Sequence, residues 1–259
     1  MKTASPIFVT GMPRSGTTFV QHLLSRHPKI QIFGQEPSGL TWGNWLQTAV
    51  NGVVSANASN NQLVDYEVPH YATPDSPQEA AARLLDYVRW YLTGGVSVKR
   101  WGAKSLTQCR VAPDTVLDVW PETRWIVCIR DPFRSIESLR NTFDAEQKVE
   151  LPTAIGWWTD AVRFAHAHDA ALPVLFDRLT EPSEQSHFVD QLFAFVGEDV
   201  SPEVSEFAAR WPVVHKVVED QDRHYTLSDT DRESMLNDHA EFHSWVERLG
   251  YLPTEVAAS

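Results

Sequence analysis

The segment Gly11-Met12-Pro13-Arg14-Ser15-Gly16-Thr17-Thr18 has the residue types and the Gly-x-x-x-x-Gly spacing of a loop that holds an anion. In such loops successive backbone N–H groups and the positive end of the following helix surround a phosphate-sized group. A nucleoside triphosphate loop continues with Gly-Lys-Ser/Thr, whereas this chain has Gly16-Thr17-Thr18. The lysine that reaches the β- and γ-phosphates is therefore missing, and the cation of the loop stands earlier, at Arg14. A second cluster reads Arg130-Asp131-Pro132-Phe133-Arg134-Ser135-Ile136-Glu137-Ser138. An arginine fork where a strand ends, with a hydroxyl in the helix that follows, can bind a second phosphate. The same residues also fit an arginine paired with a surface carboxylate and a serine on an exposed helix.

These residues need a frame that brings them to one rim. Ile7-Phe8-Val9, Trp125-Ile126-Val127-Cys128-Ile129 and Val174-Leu175-Phe176 are short apolar runs that read as strands buried on both faces. Helical patterns alternate with them. Phe19, Val20, Leu23 and Leu24 form an apolar stripe that stops near His27-Pro28. Ala81, Leu84, Leu85, Val88 and Leu92 form a second, opened by Ser76-Pro77. Ile155, Trp158, Val162 and Ala165 mark a third, and Phe188, Leu192, Phe193 and Val196 a fourth that Gly197 closes. One final helical stretch is expected from about Ser228 to Leu249. Strands alternating with helices predict an α/β fold, a P-loop-type parallel β-sheet flanked by helices on both faces. Ligands of such sheets sit at the carboxyl ends of the strands, which places the loop 11–18 and the residues after Ile129 on the same rim. The Asn-, Ser- and Pro-rich stretch 51–77 reads as a long surface loop, either a cover over the site or a variable excursion.

The 259 residues suit a single domain over 1–259, without internal repeats. Lys+Arg 22 against Asp+Glu 34 gives a net charge of −12, which repels polyanions and argues against nucleic acid or an anionic membrane as partner. An anionic cofactor then needs a local cluster of cations. The two cysteines, Cys109 and Cys128, suit a reducing compartment. The first strand begins almost at once and no apolar run reaches bilayer length, so a cytoplasmic protein without signal peptide is expected. The ten histidines and two cysteines show no zinc-like spacing, and no metal is expected. Of the ten tryptophans, Trp42, Trp45, Trp90 and Trp101 lie with Tyr91 between the two clusters. Most are expected in the core, with some free to line an apolar acceptor pocket.

Taken together, Pro13-Arg14-Ser15-Gly16-Thr17-Thr18, Arg130 and Ser138 resemble the cofactor-binding signature of sulfotransferases that use 3′-phosphoadenosine 5′-phosphosulfate (PAPS). The resemblance is closest to the branch with the tyrosylprotein and bacterial enzymes, and it extends to Trp101-Gly102-Ala103-Lys104-Ser105 and to Phe176-Asp177-Arg178-Leu179 with Pro182. It implies a sulfotransferase fold with cofactor segments 7–18, 101–105 and 125–138 and an acceptor region within 34–100. Arg14, Ser15, Gly16, Thr17, Thr18 and Lys104 would hold the 5′-phosphosulfate, and Arg130 with Ser138 the 3′-phosphate. Arg14 and Lys104 would also assist catalysis. Lys216 and Arg223 fall where the family often has a lid on the nucleotide.

The acceptor must lose a proton as it attacks, so a base is needed. Ile32-Phe33-Gly34-Gln35-Glu36 is similar to the Gly-Glu-Glu segment of the tyrosylprotein branch, which implies Glu36 as base, with His70 in reserve. His27 reads as structural. Gln35 and Ser38 depart from that branch and turn the expectation from a tyrosyl peptide to a small-molecule acceptor bearing a hydroxyl, less readily an amine. Two other readings stay open: an ATP-dependent P-loop phosphotransferase, with Asp131 the nearest carboxylate for magnesium, and a nucleotide-binding module without turnover.

Overall fold

The computed structural model describes residues 5–34, 82–83, 86–87, 89–90, 93, 99–104, 116–117, 120–142, 149–215 and 225–252. Strand β1 (Ile7–Gly11) runs into helix α1 (Thr17–Ser25), and β2 (Ile30–Phe33) and β3 (Arg100–Lys104) follow. Next come β4 (Arg124–Ile129), α2 (Pro132–Thr142), α3 (Leu151–Ala167) and β5 (Ala171–Leu175). The remaining elements are the short α4 (Phe176–Leu179), α5 (Gln185–Val196), α6 (Pro202–His215), α7 (Asp229–Asp238) and α8 (Ala240–Arg248). The strands form one parallel sheet in the order β2-β3-β1-β4-β5.

Alternation along β4 shows why the sheet needs cover on both sides. Trp125, Val127 and Ile129 pack with α2, α3, α7 and α8, while Ile126 and Cys128 join Phe19, Leu23, Leu192 and Phe193 from α1 and α5 on the other face. Burying side chains of this size contributes about 1.5–3 kcal/mol each, so both helical layers are held mainly by β4 and its neighbours. The large aromatics of the described residues follow the core expectation at Trp101, Trp120, Trp125 and Trp158, whereas Trp90 is mostly exposed. His27 is buried against the Phe193 ring and its Nδ1 accepts from the Lys29 amide, in line with a structural role.

The structure adds to and corrects the pattern in several places, strand β3 and helix α6 among the additions. Strand β2 has only four residues on the sheet edge, two of them buried, too short a run to stand out in the sequence. Phe176 starts α4 rather than ending β5, because the chain turns at the strand end. The expected single helix after Ser228 is two, since the backbone at His239 (φ −131°, ψ 77°) leaves the helical region. Ser228 opens the first of them through a capping box, accepting from the Asp231 amide while the Asp231 carboxylate accepts from the Ser228 amide. The helical pattern expected around 81–92 is met by the described positions 82–83, 86–87 and 89–90, and the stretch 51–77 lies outside the described residues.

Gly102 lets β3 lie close to its neighbours. A Cβ there would overlap the backbone carbonyl of Ile7 and come within 2.5 Å of Ile32 Cδ1. Gly102→Ala should therefore push β3 from β1 and lower the unfolding free energy by about 1–3 kcal/mol, read as a lower urea midpoint at unchanged slope.

Candidate functional site

Register decides which residues meet at the rim. Val9 pairs with Lys104 and Gly11 with Cys128, so the loop after β1 rises between the end of β3 and the Arg130 that follows β4. Arg14 is the described non-glycine residue with positive φ, at 72°, and Gly16, the cap of α1, has φ 95°. Together with the Ser15 amide donating to the Met12 carbonyl at 3.1 Å, these angles curl the loop so that its amides and the N-terminus of α1 face one small volume. A left-handed arginine costs of order 1–3 kcal/mol, a strain found where the surrounding structure fixes a residue for function.

Three cations converge there. The Lys104 side chain is buried and its Nζ donates to Thr18 Oγ1 at 3.2 Å. Arg14 Nε donates to Ser138 Oγ at 3.0 Å, and Arg130 Nη1 reaches the Arg14 carbonyl at 3.4 Å. Of the site residues expected from sequence, Arg14, Thr18, Lys104, Arg130 and Ser138 are thus joined by direct contacts, and Ser15, Gly16 and Thr17 form the loop between them. The Ser15 hydroxyl is buried without a hydrogen-bond partner, packed behind the loop near Gly11. Two segments expected to hold separate phosphates are contiguous, bridged by the Arg14–Ser138 hydrogen bond. Glu36, His70, Ser105, Lys216 and Arg223 lie outside the described residues, as do Gln35, Ser38, Trp42, Trp45, Tyr91 and Cys109. Gln21 Nε2 of α1 donates to the carbonyls of Ile32 and Gly34 at 3.2 and 2.8 Å and fixes the exit of β2, with Gly34 against the Lys104 backbone.

The electrostatics around this rim follow from burial and from the lysine. His22 is held below the ordinary histidine range, first by burial and then by Arg26 and Lys104. Burial pushes the Cys128 thiol up against the opposing pull of Lys104, so it is an inert core thiol rather than a nucleophile.

Several supporting residues were not assigned a role from sequence. Trp158 Nε1 donates to the Arg130 carbonyl at 2.9 Å. The Phe176 ring lies 5.7 Å from the Arg130 guanidinium carbon and edge-on to Phe19, and it fills the space a Cβ on Gly16 would need. Asp131, weighed above as a magnesium ligand, is the cap of α2: its Oδ1 accepts from the amides of Phe133 and Arg134 at 2.9 and 3.1 Å. Asn141 pairs with the backbone of Tyr225 in both directions, at 2.8 and 2.9 Å, and Glu137 accepts from the Leu227 amide and from Arg232. These contacts tie the helix that carries Ser138 to the segment before α7. Among the described residues no cluster of His, Cys, Asp or Glu could hold a metal ion, and no helix is long and apolar enough to cross a membrane.

Comparisons with known proteins agree with this geometry. The model of a family described as "Sulfotransferase family" matches residues 6–202. Solved structures share the fold at low identity. The sulfotransferase domain from the curacin biosynthetic pathway aligns with a TM-score of 0.55 and 14% identity over 98% of this chain and 100% of that one. The sulfotransferase domain of the olefin synthase of Synechococcus PCC 7002 gives 0.52 and 16%, over 98% of each chain. A sulfotransferase from Alicyclobacillus acidocaldarius gives 0.51 and 16%, also over 98% of each. No curated protein matches in sequence.

The cap of α2 has a pH signature. Burial pushes the Asp131 carboxyl above the ordinary aspartate range against the pull of the cap amides, and the Asp177 carboxylate adds to the rise. A raised acid favours the folded state below its ordinary pKa, and that contribution is lost as pH rises through the folded value. At pH 7 the ionised group is therefore a cost. Asp131→Asn, which keeps an acceptor for the cap, should have a thermal midpoint at pH 7 no lower than wild type, with any advantage shrinking as pH falls into the usual aspartate range. A clear drop at pH 7 would show that the charge is worth more to the helix terminus than its burial costs.

Proposed function

Because this chain belongs to the sulfotransferase family, we propose that it transfers the sulfuryl group of PAPS to a hydroxyl, less readily an amine, of a small-molecule acceptor. The observation that carries this reading is the gathering of Lys104, Arg14 and Arg130 around the N-terminus of α1 in a chain of net charge −12. Such a donor set suits a ligand with two anionic ends. The loop amides, Arg14, Gly16, Thr17, Thr18 and Lys104 hold the 5′-phosphosulfate, with Ser15 packed behind the loop as its support. Arg130 and Ser138 hold the 3′-phosphate.

In the reaction the acceptor oxygen attacks sulfur in line while the bond from sulfur to the 5′-phosphate oxygen breaks, and 3′-phosphoadenosine 5′-phosphate (PAP) leaves. Charge grows on the leaving phosphate oxygen and on the equatorial sulfuryl oxygens. Lys104, Arg14 and the loop amides are preorganised to meet it, which is where most of the rate enhancement of such transfers arises. Glu36 takes the acceptor proton as the new bond forms. Its support is its place two residues after Gly34, whose carbonyl α1 pins at the same rim as Lys104. Both ends of the donor are met by side chains and backbone amides, so the proposed step needs no metal.

Calorimetric titration with PAP is the direct test. Arg130→Ala and Ser138→Ala should weaken binding, Arg130→Ala by about 10- to 100-fold, since a charge-assisted contact to phosphate is lost. Binding unchanged by both would reject the assignment of the 3′-phosphate. Glu36→Gln should lower turnover by about a hundredfold or more while PAP affinity stays near wild type. Full turnover in that variant would assign the base to another group, with His70→Ala the next variant to measure.

A further inference from the structure

Arg130 is held from more directions than a surface arginine would be. Its guanidinium lies over the Phe176 ring, Nη1 reaches the Arg14 carbonyl, and its own carbonyl accepts from Trp158. Asp177, the residue after Phe176, places Oδ1 3.8 Å from Arg130 Nε and uses Oδ2 to accept from the Asp131 amide at 2.8 Å. One carboxylate thus joins the turn after β5 to the turn after β4. The Asp131 amide contact restrains the carboxylate itself, so that it presents a fixed edge to the arginine.

A second support comes from the last described helix, beyond the residues 6–202 that the family model matches. Phe242 of α8 packs edge-on against Trp158 at 5.2 Å between ring centroids, and Trp158 is the residue that holds the Arg130 carbonyl.

We propose that Asp177 is a positioning residue that sets the Arg130 fork for the 3′-phosphate. The proposal rests on the cofactor reading above. It assigns the carboxylate beside the arginine to orienting it rather than to repelling the ligand. A fork aimed by a fixed carboxylate loses less freedom on binding phosphate than one that must be ordered by the ligand.

The test compares two nucleotides that differ only in the 3′-phosphate. PAP and 5′-AMP are titrated into wild type, Asp177→Asn and Asp177→Ser, with thermal midpoints measured alongside. Wild type should prefer PAP. In both variants the preference should fall by about tenfold, with 5′-AMP affinity close to wild type. A purely structural role would weaken both nucleotides alike and leave the ratio as in wild type, which overturns the proposal. A rise in the PAP preference of Asp177→Asn also overturns it, since Asp177 would then be acting by repulsion. If Asp177→Asn does not fold, Asp177→Ser, which also keeps an acceptor near the Asp131 amide, carries the same test. Equal binding of PAP and 5′-AMP by wild type would instead remove the 3′-phosphate assignment itself, and the proposal with it.

Discussion

Crowding of positive charge at one rim of the sheet is the constraint on which the other features depend. Three adjacent parallel strands, β3, β1 and β4, end side by side, and each delivers a cation or a cationic loop to the same volume as the N-terminus of α1. At an effective dielectric near 20, two like charges some 8 Å apart repel by about 2 kcal/mol, so such a group is stable only with anionic or dipolar partners close by. The protein supplies a few of these internally: the Ser138 and Thr18 hydroxyls, the Arg14 carbonyl and the Asp177 carboxylate. On the proposed reading, a ligand with two phosphate-like ends completes the balance.

The strength of that balance comes from burial behind the rim. β4 carries its apolar side chains alternately to both helical layers, and the strand cannot slip by one residue without turning each of those faces inside out. The register that buries Ile126 and Cys128 against α1 therefore also sets Gly11 opposite Cys128 and brings Arg130 to the loop. Hydrophobic packing fixes the position of the charges, and the charges contribute little to the fold. The inert, buried Cys128 thiol marks the boundary between the two regimes, one residue below the strand end and within electrostatic reach of Lys104.

How much of this was legible in the sequence depended on the range of the interaction involved. The loop 11–18, β4 and the stripes of α1, α3 and α5 are local patterns, written in glycine spacing and hydrophobic period, and they stand where the residues placed them. Strand β2 was missed because an edge strand of four residues with alternate exposure has too little periodicity to read. The break at His239 escaped notice because neither glycine nor proline marks it. In the site, Arg14, Lys104, Arg130 and Ser138 were found through motif and resemblance, but their mutual contacts span 86 to 124 residues of chain, a separation no local pattern encodes. Asp177 was visible within Phe176-Asp177-Arg178-Leu179, a segment to which the resemblance extends. A carboxylate directly after a strand end, in a chain with an arginine directly after the neighbouring strand end, is the signal that could have found its pairing.

These contacts make the two halves of the pocket one network. Arg14 touches Ser138, Arg130 touches Arg14, Asp177 touches Arg130 and the start of the helix that carries Ser138. Phe176 touches Arg130 and leaves no room for a side chain at Gly16, so the turn after β5 bears on both the phosphate loop and the arginine. Residues linked this closely do not contribute independently, and losses on changing two of them fall short of or exceed the sum of the single losses. On the cofactor reading, recognition of the 3′-phosphate and orientation of the 5′ end then cannot be tuned separately. Altered donor specificity in this scaffold must come from changing the turn after β5 and the loop after β1 together, because each is packed against the other through one aromatic ring.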